Sequence, residues 1–156
     1  MANTRYLTTA VEDEVRNRLS ETHQVAFHKR TLRLQTGGDH EFDAVSDNGR
    51  IVASVKTASG RTSGGAHPAG TVVNCIAELY FLTLVRARRR LLVLTSPGFH
   101  AIFMRAVKGK IAAGIEIVHI PLPAELQARL SAVQQVANDE VQPVLDPAEL
   151  RVLNGG

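Results

Sequence analysis

The stretch EFDAVSDNGRIVASVK, residues 41–56, contains two segments in which apolar and polar residues alternate around a central turn signal. Alternation with a period of two predicts β-strands. The Asn48-Gly49 pair between the segments is among the strongest short signals for a β-hairpin. A two-residue turn at this pair places Asp47 opposite Arg50, and this pairing predicts the register of the whole hairpin.

The predicted register brings polar residues of the two strands together. Asp43 should lie opposite Ser54, and Glu41 opposite Lys56, and directly paired residues share one face of a sheet. One face then carries Glu41, Asp43, Val45, Val52, Ser54 and Lys56. The other face, which we expect to be buried, carries Phe42, Ala44, Ser46, Ile51, Ala53 and Val55. The polar groups therefore cluster at the end of the hairpin away from its turn.

The rest of the chain predicts helices and strands in the order αβββαβαβα. Apolar residues recur at a spacing of four along a first helix over residues 8–20, and a later segment, TVVNCIAELYFLTLV, is apolar almost all round, as is typical of a buried helix. This order predicts an α/β fold with a mixed sheet flanked by helices on both faces. We expect a single domain over residues 1–142 and a C-terminal tail over residues 143–156.

The composition limits the class of protein. The chain has 156 residues, 44% of them hydrophobic and 21% charged, which is typical of a globular domain. No segment is long and apolar enough to span a membrane, and the N-terminal residues lack the apolar core of a signal peptide. The lone Cys75 excludes an intramolecular disulfide and a cysteine-based zinc cluster. We therefore expect a cytoplasmic protein with no membrane partner.

The charge balance suits a phosphate-rich partner without requiring one. The formal net charge is +3, the isoelectric point is near 9.4, and arginine supplies fourteen of the eighteen cationic residues. Guanidinium groups bind phosphate through two parallel hydrogen bonds.

The polar end of the hairpin has two interpretations. Two carboxylates, a hydroxyl and a lysine suit metal-assisted chemistry on a phosphodiester, since carboxylate oxygens are ligands for Mg²⁺ and a lysine can stabilise phosphate charge or orient water. The same residues could instead form an ion-pair ladder on a solvated sheet face. The residues alone leave both interpretations open.

These residues resemble the PD-(D/E)XK nuclease superfamily. The resemblance lies in a helix with a glutamate, a strand with Asp43, a strand with Ser54-Val55-Lys56 and a following helix, and it spans about residues 8–121. It implies a restriction-endonuclease-like fold and DNA phosphodiester hydrolysis with Mg²⁺ or Mn²⁺. Two positions depart from the pattern: Phe42 stands where proline is common, and Ser54 stands where the second carboxylate belongs.

One branch of restriction enzymes with a Ser-X-Lys strand takes its second carboxylate from the following helix. Here that helix offers Glu78, which forms a polar stripe with Thr71 and Asn74 on an otherwise apolar helix. A buried carboxylate requires a cation or hydrogen-bond donors. The alternative is that Glu78 pairs with an arginine or faces solvent.

The resemblance also implies roles for the site residues. Asp43 and Glu78 would bind the metal together with the Val55 carbonyl, and Lys56 would assist the attacking water. Ser54 and Glu12 would support the site. Periodicity does not distinguish Glu12 from Glu14 on the first helix.

Basic residues beside these elements are candidates for DNA contact. They are Lys29, Arg30, Arg33, Arg61 and His67. The run at residues 86–90 follows a helix, where cations complement the helix dipole.

The leading expectation is a metal-dependent DNA endonuclease. The alternative is a catalytically degenerate nuclease fold that serves as a DNA- or protein-binding module. Assembly as a homodimer or within a larger DNA-processing complex is compatible with either.

Overall fold

The structure is a computed structural model that describes residues 2–57 and 69–141, with side chains described for residues 5–57 and 69–133. Four helices and five strands lie in these ranges. The helices are α1 (Ala2–His23), α2 (Ala69–Leu84), α3 (Pro97–Ala106) and α4 (Ala124–Val141). The strands are β1 (Phe27–Arg33), β2 (Asp39–Ser46), β3 (Ile51–Lys56), β4 (Arg89–Leu94) and β5 (Ile115–His119).

The five strands form one mixed sheet in the order β1-β2-β3-β4-β5. The first three strands are antiparallel neighbours, whereas β3, β4 and β5 run parallel. Helices α2 and α3 provide the crossovers that parallel strands require. The predicted order αβββαβαβα and the mixed sheet with flanking helices are confirmed. No helix within the described ranges is long and apolar enough to cross a membrane.

Apolar residues are buried on both faces of the sheet. On the first face, the predicted stripe of α1 is at most 4% exposed, and its residues are Leu7, Val11, Val15 and Leu19. Two of them pack with Ala53, Val55 and Val93 of the sheet. On the opposite face, α2 and α3 cover Val52 and Leu92. The site residues described below lie at the boundary between these two cores.

The register of the β2–β3 hairpin agrees with the sequence prediction. Ala44 pairs with Ala53 and Val45 with Val52, which is the alignment that places Asp43 across from Ser54. The connection is four residues long, 47–50, rather than two, and its glycine has a φ of +69°. A four-residue loop preserves the alignment of a two-residue loop because it adds one residue to each side.

The predicted faces of β2 are partly wrong because β2 contains a bulge. His28 lies opposite Val45 and Arg30 opposite Phe42, so one residue of β1 faces two residues of β2. The extra residue reverses the alternation of side chains. Phe42 therefore packs in the α2-side core with Val45 and Val52, on the face that also carries Lys56, although the sequence pattern assigned Phe42 to the opposite face.

Beyond the bulge, the outer half of the β1–β2 hairpin leaves β3 and crosses α2. The paired residues of β2 and β3 end at Ala44 and Ala53. Past the end of β1, the Gln35 amide donates a hydrogen bond of 2.8 Å to the Leu84 carbonyl at the end of α2. The His40 ring stacks on Phe81 with centroids 4.1 Å apart. The bulge thus bends the hairpin over the helix that carries Glu78.

Helix α2 is not buried all round, as its apolar composition had suggested. Cys75, Leu79 and Leu82 face the core. Val73 and Tyr80, on the outer side, are 63% and 59% exposed. The apolar pattern is broader than the surface the helix buries, because only one sheet face lies beneath it.

Candidate functional site

Glu78 lies against the two polar residues of β3. The Ser54 hydroxyl donates a hydrogen bond of 3.0 Å to Glu78 Oε2, and Lys56 Nζ lies 3.7 Å from Glu78 Oε1. His40 Nε2 is 3.3 Å from the same Oε2 atom that Ser54 contacts. The Glu78 side chain is 19% exposed, and its partners within the described residues are a hydroxyl, an ammonium and an imidazole. It neither pairs with a described arginine nor faces open solvent.

The chain path explains this contact. Ser54 and Lys56 alternate with residues of the α1-side core, so their side chains face α2. Helix α2 runs back across this face after β3 ends, and Cys75, Leu79 and Leu82 fix its rotation by packing into the core. Glu78 immediately precedes the buried Leu79, so it reaches the side of the helix next to β3.

His40 is a candidate site residue that the sequence analysis did not single out. Its ring contacts Phe42 edge-on at 4.8 Å as well as stacking on Phe81, and this packing directs Nε2 to Glu78. Alternation along the strand does place His40 on the face of Phe42. The missing information was the bulge, which turns that face toward α2.

Where β2 and β3 separate, the Asp43 carboxylate takes the place of a backbone carbonyl as the hydrogen-bond acceptor for β3. Its Oδ2 accepts a hydrogen bond of 2.7 Å from the Val55 amide, while its own carbonyl accepts one of 2.7 Å from Arg16 of α1. Burial raises the pKa of Asp43, and the charge of Glu12 raises it further. The Val55 amide, Lys29 and Lys56 act in the opposite direction without cancelling this shift. Asp43 is therefore a carboxylate with incomplete charge compensation.

The Val55 carbonyl faces the same gap. In a β-strand, the amide and the carbonyl of one residue point to the same neighbouring strand. The Val55 amide points to Asp43, and the next carbonyl, that of Lys56, points to β4, where Thr95 donates to it at 3.3 Å. The Val55 carbonyl is thus directed toward β2, beside the Asp43 carboxylate.

Of the two candidate glutamates on α1, the structure brings Glu12 to this region. Glu12 Oε2 lies 3.3 Å from Lys29 Nζ, and its side chain is 14% exposed. Glu14 pairs instead with Arg18 at 3.3 Å. The α1 rotation is set by the buried stripe, which places Glu12 rather than Glu14 over the sheet.

Glu41 lies elsewhere than predicted, and Lys29 is its ion-pair partner. Glu41, expected opposite Lys56, is exposed and lies 3.6 Å from Lys29 Nζ, because the bulge turns it toward the α1 side. Lys29 itself, expected to contact DNA, is held between Glu41 and Glu12. Its side chain is 44% exposed, and its contact with DNA stays a prediction.

The other predicted DNA-contacting residues divide into two groups. Arg30 and Arg33 are exposed and line a cleft between β1, the hairpin turn and the end of α2. Arg61 and His67 lie outside the described residues.

Lys56 connects the two carboxylates. It lies close to Glu78, and its charge also lowers the pKa of Asp43.

Within the described part of the chain, no group of three or more His, Cys, Asp or Glu side chains is arranged to hold a metal ion. Mg²⁺ needs fewer, because it retains several waters and takes one or two carboxylates. Asp43 and the Val55 carbonyl fit that requirement by donor type and direction, and Glu78 fits by donor type.

Cys75 does not supply a nucleophile. It is fully buried on α2, and burial raises its pKa to about 11. A thiol with this pKa is protonated at neutral pH and chemically inert.

Comparisons with known proteins do not assign this site to a family. No protein-family model, no curated protein and no solved structure matches the chain.

Proposed function

We propose that the protein is a metal-dependent endonuclease that hydrolyses DNA phosphodiester bonds, with Mg²⁺ or Mn²⁺ as cofactor. The observation that carries the proposal is the contact of Glu78 with Ser54 and Lys56. The strand lacks a carboxylate at Ser54, and the following helix supplies one within hydrogen-bond distance of that serine.

The charge distribution also supports a cation beside Asp43. A buried carboxylate with a raised pKa gains more from a nearby cation than one that is already neutralised. Asp43, the Val55 carbonyl and Glu78 would hold the divalent ion. When bound, this ion supplies positive charge that polarises the scissile phosphate.

The remaining roles follow from the contacts of the chain's own residues. Lys56 Nζ, next to Glu78, can donate to an attacking water or to a phosphate oxygen. Ser54 fixes the Glu78 carboxylate, and His40 donates to the same oxygen when its Nε2 carries a proton. Glu12 faces Asp43 from α1 and adds negative charge.

The test is cleavage of supercoiled plasmid and linear duplex DNA at fixed salt with Mg²⁺ or Mn²⁺. We expect Asp43→Asn and Glu78→Gln each to lower the cleavage rate by about 100-fold or more, the scale of losing one charge-stabilising group. Glu14→Gln is the matched control, because it removes a carboxylate paired with Arg18 away from the site. Full activity of the Glu78→Gln variant would exclude Glu78 as a residue of the active site.

A rescue variant makes the test sharper. The Ser54 hydroxyl lies 3.0 Å from Glu78 Oε2, so Ser54→Glu combined with Glu78→Ala returns a carboxylate to the strand near the same position. We expect this double variant to cleave DNA faster than Glu78→Ala alone. A double variant no faster than Glu78→Ala would show that the carboxylate acts only from the helix.

A second candidate function is a catalytically degenerate nuclease fold that binds DNA or protein. The observation in its favour is that Ser54, Lys56 and His40 already satisfy Glu78 without a cation. Binding of DNA by the unmodified protein without cleavage in either metal would support this function over the first.

A further inference from the structure

A cleft lined by arginines lies apart from the carboxylates of the candidate site. Its volume is about 390 Å³, and the cleft lies in the bend where the outer β1–β2 hairpin crosses the end of α2. Its lining residues are Arg30, Leu32, Arg33, Leu34, Gln35, Val45, Gly49, Val85 and Arg86. None of the residues discussed as metal ligands or as catalytic groups lines it.

Asp39 lies opposite Arg33 across the β1–β2 ladder, but no described carboxylate forms an ion pair with any of the three arginines of the cleft. No acidic residue lines it, and no ion pair or side-chain hydrogen bond joins Arg30, Arg33 or Arg86 to another described residue. Arg33 alternates with the core-packed Leu32 and Leu34, so Arg30 and Arg86 are the arginines whose like charges concentrate positive potential at this concave surface. An anion that enters the cleft would relieve this repulsion.

Arginines next to Arg86 in the sequence are used differently. Arg89 forms a two-pronged ion pair with Glu116 at 2.9 and 3.0 Å, and Arg90 Nε donates to the Val85 carbonyl at 2.9 Å. These contacts stabilise the sheet edge and the end of α2. Arg86 has no such structural task.

Apart from Gln35 and Gly49, the remaining lining is apolar. Leu32 and Leu34 contribute from the hairpin, and Val45 and Val85 from the sheet and the segment after α2. Leu34, Val45 and Val85 are at most 7% exposed, so the half-buried Leu32 is the apolar lining residue that can pack against a base or a sugar. Ligand pockets generally span about 300–1,000 Å³, so the cleft suits a small ligand.

We propose that this cleft binds a nucleoside monophosphate unit. Its phosphate group meets Arg30 and Arg86, since guanidinium forks match phosphate oxygens, and its base or sugar packs on Leu32. The unit can come from a free mononucleotide or from the 5′-phosphorylated end of a DNA strand. The proposal concerns binding only and does not rest on DNA cleavage.

The test is binding measured by calorimetry in metal-free buffer, with the full-length Asp43→Asn variant to prevent cleavage. The probes are deoxyadenosine monophosphate, deoxyadenosine, inorganic phosphate, and one oligonucleotide with and without a 5′-phosphate. We expect the mononucleotide to bind at least tenfold more tightly than deoxyadenosine or inorganic phosphate. Equal affinity for the mononucleotide and inorganic phosphate would overturn the assignment.

Variants locate the binding to the cleft. Arg86→Gln and Arg30→Gln should each weaken mononucleotide binding by tenfold or more, whereas Arg88→Gln, an exposed arginine outside the cleft, should change it less than twofold. Equal effects of Arg86→Gln and Arg88→Gln would refute the site.

The oligonucleotide pair identifies the source of the phosphate. If a 5′-phosphate strengthens oligonucleotide binding and this gain requires Arg86, the cleft binds strand ends. If the 5′-phosphate gives no gain, the cleft binds free mononucleotides. A protein that cleaves no DNA but shows these affinities would refute the endonuclease proposal and leave this inference intact.

Discussion

Asp43 and Glu78 both lie within the electrostatic reach of Lys56, but their surroundings differ. Glu78 is surrounded by donors from Ser54, His40 and Lys56. Asp43 has one amide donor, a raised pKa and the repelling charge of Glu12. The difference indicates that Glu78 is stable without a cation, whereas Asp43 gains from one. On the proposed function, Asp43 would therefore gain more than Glu78 from a bound cation.

Replacing Lys56 and Lys29 one at a time should give the largest difference in cleavage rate between these regions. On the proposed function, Lys56→Met should lower DNA cleavage by about 100–1,000-fold, because Lys56, beside Glu78, would act on the phosphate or on the attacking water. Lys29→Met, which removes the ion pairs with Glu12 and Glu41 and a charge that also acts on Asp43, should cost less than about tenfold. Single-turnover rates at saturating metal measure both. Similar losses for the two lysines would contradict the separation of roles.

The two carboxylate variants should differ in stability. Glu78→Gln should lower the free energy of unfolding by about 1–3 kcal/mol, because the charged acceptor of Ser54, His40 and Lys56 is lost. Asp43→Asn should leave the metal-free protein as stable as the original or more stable, since its amide oxygen still accepts from Val55. Urea denaturation in the presence of a chelator tests this difference. Equal destabilisation would show that both carboxylates are structurally satisfied.

The pH dependence of stability should reveal Asp43. Its pKa is raised above the value of 3.8 that applies in the unfolded chain. Between these two pKa values the native state holds more protons than the unfolded state, so stability falls as pH rises. The advantage of Asp43→Asn over the original protein should grow from about pH 4 upward and become constant above the folded pKa. An advantage that is constant from pH 4 to pH 8 would contradict the shift.

The smallest effect is expected from Ser54. Ser54→Ala removes one hydrogen bond to Glu78 from a buried position and should cost about 1–2 kcal/mol of stability. The half-buried Ser20, which bonds only to the Arg16 carbonyl, is the control and should cost less. Thermal unfolding measures both. No difference between the two serines would show that the Ser54 bond adds little to the position of Glu78.

Local signals predicted much of the site. The register that brings Asp43 level with Ser54 followed from the turn signal and the strand period, and four-residue and two-residue loops share it. Glu78 was singled out because the family resemblance implies a second carboxylate on the helix after the Ser-X-Lys strand, and because a carboxylate on an apolar helix requires a partner. His40 was missed, and Glu12 could not be separated from Glu14, because both depend on packing between elements distant in the sequence.

The sequence by itself determined the order of the elements, the buried stripe of α1 and the alignment of the hairpin, because these depend on contacts between near neighbours and on the period of apolar residues. The tertiary structure alone decided which faces meet. One extra residue in β2 turns Phe42 and His40 toward α2 and bends the hairpin over that helix. A bulge has no reliable local pattern and is favoured only by the packing it permits, so the surroundings of Asp43 and Glu78 and the arginine cleft appear only in the folded chain.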